Sequence, residues 1–318
     1  MPTLPQRRLS APFLALVIAV HAAALLGYLV GGFPLGIAAE GLDLLGVLDA
    51  LILIPLAILR CWGLGKLVAL LAPSCLLLAL GPPLFWPASG APGLARPVRL
   101  LQANIMSEGL PASALGGRVF DVAAIAEWRA GDDDSWARSM GLRLAAHAPG
   151  RGDAALFSRW PAVASGCILD ETGWCQAVWA LLDTPQGKLR VISLHTMSPP
   201  GALRIALRDR FLVRLEAFIA TLPPGEPLVA AGDFNSTWGS PSMRRLGSSV
   251  AWNSERQRAP SWPSLSARFG LGFRIDHQLG AKGAVVDSQE VFDSGYSDHL
   301  WTSALVHLPA QPARPGGR

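Results

Sequence analysis

The sequence predicts an α/β domain carried behind an N-terminal bundle of three transmembrane helices. Three observations predict it. Of 318 residues, 51% are apolar and only 16% charged, against about 25% charged in an ordinary soluble chain. Residues 9–86 hold just five charged side chains, Glu40, Asp43, Asp49, Arg60 and Lys66. Beyond residue 97, strand-like apolar runs mix with helical patterns, which marks an α/β arrangement, and acid, amide and imidazole residues stand at the ends of those runs. The apolar excess excludes a disordered chain, which would be polar and highly charged. Its confinement to one end excludes a single ordinary soluble domain.

The N-terminal region, residues 1–86, is expected to hold spans at about 11–31, 44–59 and 67–86. The first lacks any Asp, Glu, Lys or Arg and is long enough to cross a hydrocarbon core of about 30 Å. The third is equally clean. The middle one is shorter and contains Asp49 and Pro55. An acid inside a membrane flags function by default; a place near the interface or against a neighbouring helix is the reading adopted for Asp49. A small transporter would rest on that residue alone, and three short spans make a poor pathway. Arg7 and Arg8 precede the first span, the first loop has Glu40 and Asp43 with no Lys or Arg, and the second has Arg60 and Lys66. Positive charge stays on the cytoplasmic side. The N-terminus is therefore expected in the cytoplasm of a cell-membrane protein, with the C-terminal domain extracytoplasmic and Trp86 at that interface. The further apolar segments, and the lack of a small-residue cleavage site, argue against a cleaved signal peptide. Residues 87–97 (PASGAPGLARP) form a Pro/Gly/Ala linker, 98–308 the soluble domain, and 309–318 a disordered tail.

Within the soluble domain, strands are expected over 98–105, 154–158, 177–182, 189–194 and 228–231, with helical spacing over 119–129 and 203–222. Arg204, Arg208, Arg210 and Arg214 fill the polar face of the second helix and are expected in solvent. The Asp132–Asp133–Asp134 run is expected in a solvated loop. From residue 87 onward there are 23 Lys and Arg against 20 Asp and Glu. So mild an excess permits an anionic substrate without demanding nucleic acid. Cys167 and Cys175 flank a predicted hairpin, with no paired-cysteine zinc spacing. They are either a disulfide of an oxidising compartment or two small buried hydrophobes.

The polar residues at run ends are Asn104, Glu127, His195, Asp233 with Asn235, Asp276, and Asp298 with His299. Each alone fits a turn or a cap. So many, nearly all oxygen or imidazole, point to the crevice outside strand ends where α/β sheets bind ligands. Carboxylate and amide oxygens suit Mg²⁺, Mn²⁺ or Ca²⁺, whereas zinc would want more His or Cys. Glu127 is the best direct metal ligand, with Asn104 and Asp298 as further candidates. Mg²⁺ needs only one or two carboxylates, which leaves the other acids for acid–base work.

Taken in order, LQAN (101–104), DVAAIAE (121–127), FSRWP (157–161), HT (195–196), GDFN (232–235), RIDH (274–277) and SDH (297–299) resemble the endonuclease/exonuclease/phosphatase (DNase I-like) superfamily over roughly residues 98–308. The leading spans resemble its membrane-anchored bacterial members. The resemblance implies a four-layer α/β sandwich of two mixed sheets flanked by helices, and metal-dependent hydrolysis of a phosphate ester. It implies that Glu127 binds the metal and that Asn104 supports the metal or the phosphate. Asp233 orients or deprotonates the attacking water, Asn235 donates to a phosphate oxygen, Asp276 pairs with His299, and Asp298 lies beside the metal. His195 is a phosphate contact or the acid for the leaving oxygen, and Arg159 a possible phosphate contact. Met106 stands where abasic-site endonucleases offer a second carboxylate, which weakens a two-metal scheme. His277 stands where many relatives have an aromatic residue, and packing is expected of it. The substrate stays open between nucleic acid, phospholipid or another envelope component, sugar phosphate and nucleotide, monoester or diester. No protein partner is indicated. A non-catalytic binding module is the remote alternative, since no core position is missing.

Overall fold

A computed structural model describes residues 96–107, 109–150, 152–199, 201–254 and 259–309. The three expected spans lie outside the described residues, as do most of the linker and residues 310–318. Among the described residues no helix is long and apolar enough to cross a membrane. The chain divides into two compact units, Met1–Leu84 with Trp238–Arg244 and Phe85–Thr237 with Arg245–Arg318. Both sheets belong to the second.

The described elements run β1 (Val98–Asn104), β2 (Val122–Ala126), α1 (Ser135–Ser139), β3 (Arg143–His147), β4 (Ala155–Ser158), β5 (Ala162–Leu169), β6 (Cys175–Thr184), β7 (Gly187–His195), α2 (Ala202–Thr221), β8 (Leu228–Asp233), α3 (Pro241–Ser249), α4 (Ser264–Ala267), β9 (Asp276–Ala281), β10 (Val285–Phe292) and β11 (Trp301–His307). One sheet has the order β10-β11-β1-β2-β4-β3, the other β5-β6-β7-β8-β9. Each is mixed. β1 and β2 are parallel, β7 and β8 are parallel, and the remaining pairs are antiparallel.

Alternation along the strands creates two cores. Leu100, Val122, Ala124 and Leu156 of the first sheet face Val178, Ala180, Val191 and Val229 of the second. The intervening residues Leu101, Ala123, Ile125 and Phe157 point to the opposite side and pack with Trp128 and Trp136 of the flanking segments. Burying a side chain of this size contributes roughly 1.5–3 kcal/mol. On the second sheet, α2 buries Phe211, Leu212, Leu215 and Ile219 and sets Phe218 against Trp179 of β6 at 5.9 Å between ring centroids. The order of layers is therefore helix, sheet, sheet, helix.

Three local expectations need correction. Residues 119–129 are not helical: the centre is strand β2, buried at every position. A parallel strand covered on both faces loses period-two alternation, so its apolar run imitates a helix. Arg208 is not on a solvated face but buried, donating to the Asn235 carbonyl at 2.6 Å. Arg159 stands at the other end of β2 from Glu127. Its Nε lies 3.2 Å from Asp121, and its Nη2 donates to the Met140 carbonyl at 3.1 Å. This guanidinium braces the strand's start and is not placed for a phosphate at the strand's far end. Cys167 and Cys175 are joined as a disulfide across the β5–β6 hairpin, with Cα atoms 5.9 Å apart.

Asp121 is the acid at the start of β2, and Arg99 donates to both its oxygens, at 2.9 and 2.8 Å. Burial alone would raise its pKa, but the hydrogen bonds and charge of Arg99, with Arg159 beyond, hold it below the ordinary carboxylate range. A depressed folded-state pKa gives stability that is complete above the unfolded value, 3.8, and lost as pH falls through the folded value. Asp121→Asn is expected to lower stability at pH 7 by about 1–2 kcal/mol, with both arginine ends partly in solvent. Denaturant unfolding should show the gap between variant and wild type narrowing below pH 4.

Candidate active site

Both parallel pairs end at the same edge of the molecule. In the first sheet Asn104 closes β1 opposite Ala126 of β2, and Glu127 follows. In the second, His195 at the end of β7 pairs with Asp233 at the end of β8, and Asp233 pairs with Asp276 at the start of β9. The residues before β11, antiparallel to β1, bring Ser297, Asp298 and His299 to that edge. Ser297 donates to the Asn104 carbonyl at 2.8 Å and the Trp301 indole donates to the same oxygen at 2.9 Å.

The centre is a buried group of Asp233, Asp276 and His299, whose candidate ligand atoms all lie within 4.8 Å of one another. His299 Nδ1 meets Asp276 Oδ2 at 2.8 Å. The other Asp276 oxygen accepts from Gln102 Nε2 at 2.7 Å, and Thr302 donates to that glutamine's oxygen at 2.8 Å. This chain fixes the carboxylate and leaves His299 Nε2 directed toward Asp233 Oδ2 at 3.7 Å. His195 approaches the same Asp233 oxygen at 3.8 Å, while its Nδ1 sits 3.0 Å from Asp153. Asp233 Oδ1 accepts the Asn235 backbone N–H at 2.7 Å.

Charge follows from these contacts. Burial would lower His299, but the Asp276 and Asp233 carboxylates push it up to about 10. Burial would likewise lower His195, and Asp153 with Asp233 pushes it up to about 9. Both are imidazolium at neutral pH. Burial raises Asp233, with Asp276 adding to it, whereas Asp276 is lowered against its own burial by His299. Two neighbouring carboxylates are thereby split into a basic one and a firmly ionised one. Burial and Arg274 push His277 down to about 3. It is neutral, packed edge-on to Phe234 at 5.3 Å and bonded through Nε2 to the Ser236 carbonyl.

Asn104 donates from Nδ2 to Glu127 Oε1 and to Asp233 Oδ2, both at 3.1 Å. Its amide oxygen accepts the Met106 N–H at 3.0 Å, which fixes the amide's orientation. Asn104 is a donor that steadies two acids, and its oxygen, with one of two lone pairs used, stays a candidate ligand. Glu127 (φ 61°) and Asn235 (φ 48°) hold the left-handed backbone conformation. Such strain in a non-glycine residue costs roughly 1–3 kcal/mol and concentrates at functional sites. Asn235 donates from Nδ2 to the Thr196 carbonyl at 2.9 Å; an amide nitrogen carries two protons, so one such bond leaves a second.

The acids at this edge differ in what they could offer a hard divalent cation. Asp276 has both oxygens engaged and His299 has Nδ1 engaged, which leaves His299 Nε2 and, beside Asn104, Asp233 Oδ2 facing one another at 3.7 Å. Glu127 and Asp298, half-buried and exposed at the rim, are oxygen donors of the kind Mg²⁺, Mn²⁺ or Ca²⁺ takes. The donor set fits.

Asp153, Ser261 and Trp262 also belong to the site, though no sequence motif marks them. Asp153 precedes β4, and β4 is antiparallel to β2. The start of β4 therefore shares an edge with the end of β2, a position that attention to strand ends alone passes over. Ser261 accepts the Asp276 N–H at 3.2 Å, and the Trp262 indole donates to Asp298 Oδ2 at 3.0 Å. Both come from an irregular loop with no periodic signal.

A family profile described as "Endonuclease/Exonuclease/phosphatase family" matches residues 93–299. Among solved structures, an endonuclease/exonuclease/phosphatase from Beutenbergia cavernae is 17% identical, covering 69% of this chain and 74% of that one, with a TM-score of 0.52. One from Bacteroides vulgatus is 15% identical over 68% and 100%, with a TM-score of 0.52. A humanized D. rerio TDP2 is 13% identical over 67% and 100%, with a TM-score of 0.53. At these identities the likeness is one of fold. No curated protein matches significantly.

Gly232, immediately before Asp233, has φ 152°, and a Cβ there would overlap the Leu194 carbonyl oxygen of β7. Gly232→Ala is expected to push β7 and β8 apart where His195 and Asp233 meet. Thermal and denaturant unfolding should report a loss of about 3 kcal/mol or more, from overpacking compounded by backbone strain.

Proposed function

The chain belongs to the endonuclease/exonuclease/phosphatase family, and on that premise we propose that it is a membrane-anchored, divalent-metal-dependent phosphoesterase whose site lies at the shared strand-end edge. Members of the family are hydrolases acting on phosphate esters. The observation that carries the reading is the Asp276–His299–Asp233 arrangement, an ionised acid holding an imidazolium beside a second acid of raised pKa.

Glu127 and Asp298 would hold the cation, which when bound neutralises charge on the phosphoryl oxygens. Asp233 accepts a proton from the attacking water, and its raised pKa suits a base near neutral pH. His299, kept charged by Asp276, donates from Nε2 to a phosphoryl oxygen. The second amide proton of Asn235 serves the same end. His195, kept charged by Asp153, returns a proton to the leaving alkoxide. The water O–H and the ester P–O bond break, a new P–O bond forms, and the protons balance.

The apolar segments at 11–31, 44–59 and 67–86 support the tether, with the N-terminus cytoplasmic and the domain extracytoplasmic. A bilayer-bound enzyme suits a phospholipid or envelope phosphate ester, while the mild positive charge also permits nucleic acid. Salt discriminates between them: nucleic-acid cleavage weakens steeply as salt rises, whereas a lipid enzyme responds to vesicle composition.

The full-length protein in detergent is expected to hydrolyse bis(p-nitrophenyl) phosphate or p-nitrophenyl phosphate with Mg²⁺ and to stop with EDTA. His299→Ala and Asp233→Asn should slow turnover by at least about 10²-fold, and Arg159→Ala should leave it within about twofold. Equal activity in wild type and both site variants would overturn the proposal.

A further inference from the structure

We propose that Trp262 is a positioning residue that fixes the Asp298 carboxylate for cation binding; this rests on the metal reading above. Asp298 is exposed, and an exposed carboxylate rotates freely unless something holds it, so binding an ion must order it first. The indole Nε1–H donates to Asp298 Oδ2 at 3.0 Å. An indole only donates, so it cannot bind a cation itself and acts through the acid. With Oδ2 engaged, Oδ1 is the oxygen left to the crevice.

The loop is built to hold that indole still. Trp262 exchanges backbone hydrogen bonds with Phe273, at 3.0 and 2.7 Å. The two rings stack with centroids 6.2 Å apart and planes 29° apart. The same segment grips the main chain around the acid. Ser264 N–H donates to the Asp298 carbonyl at 2.6 Å, and Leu300 N–H donates to the Ser261 carbonyl at 2.7 Å. Ser264 Oγ donates to the Ser297 carbonyl at 3.0 Å. With the backbone pinned on both sides of Asp298, side-chain rotation is its remaining freedom, and the indole N–H removes it. Partners that orient a metal ligand in this way commonly matter about 10–100-fold in affinity.

Calorimetric titration of Mg²⁺ into the full-length protein tests the inference. Trp262→Phe keeps the ring and its stack on Phe273 but loses the N–H, and should raise Kd about tenfold. Asp298→Asn should raise it at least as much, and the double variant no further than Asp298→Asn alone. Trp262→His, which keeps a ring N–H, should regain most of the loss and is the second variant should Trp262→Phe fail to fold. A merely structural tryptophan would give losses that add in the double variant, and that result overturns the inference. So does wild-type affinity in Trp262→Phe. If Glu127→Gln weakens Mg²⁺ binding in that case, the metal reading stands and only the role of Trp262 falls. If Glu127→Gln and Asp298→Asn both bind as wild type, the metal reading falls and takes the inference with it.

Discussion

Two carboxylates and an imidazole share a buried space in which their candidate ligand atoms lie within 4.8 Å of one another, and burial of ionised groups is expensive unless each is paired. Much of the architecture answers that constraint. Asp276 is satisfied by His299 on one oxygen and by the Gln102–Thr302 chain on the other. Asp233 is flanked by two imidazoliums and capped by the Asn235 N–H. The partners come from both sheets, so neither sheet holds the acids alone. The cost of burial ties the two halves of the sandwich into one unit.

The topology makes this possible. Each sheet contains one parallel pair, β1 with β2 and β7 with β8. Parallel strands present their carboxyl ends together, the usual place for a ligand crevice. The antiparallel neighbours then contribute from the opposite strand end: β9 gives Asp276 from its first position, and the residues before β11 give His299. Asp121 and Glu127 bound the short β2 on either side. One is locked by Arg99 and Arg159 and the other faces the site. A structural ion pair thus anchors the strut whose far end carries the proposed metal ligand.

Much of this was legible in the sequence because the chemistry sits in short, ordered motifs. GDFN, RID and SDH each place a residue at a strand boundary, and apolar runs such as 228–231 mark the strands that carry them. Three things escaped for physical reasons. Strand β2 is buried on both faces and shows no alternation. Arg208 and Arg159 are arginines whose buried anchors, the Asn235 carbonyl and Asp121, are distant in sequence, and the Asp209 that Arg208 also meets is the kind of neighbour a surface arginine has, so no local pattern distinguishes them from surface charge. Asp153 and Trp262 act through neighbours that only the sheet topology and the loop path bring close. Even the orientation of the Asn104 amide, which turns its nitrogen to two acids, depends on the Met106 N–H two residues on.

The pairing of β1 with β11 joins the first and last strands at the middle of one sheet. Contacts this distant in sequence form late and slowly. A nascent chain still missing β11 has no partner for that side of β1, no indole on the Asn104 carbonyl, and no His299 to hold Asp276. The site is complete only when that strand and the residues before it are in place. A polypeptide that stops upstream of residue 299 carries Asp233 and Asp276 without the imidazole that lies between them, so a buried acid pair loses its shared partner.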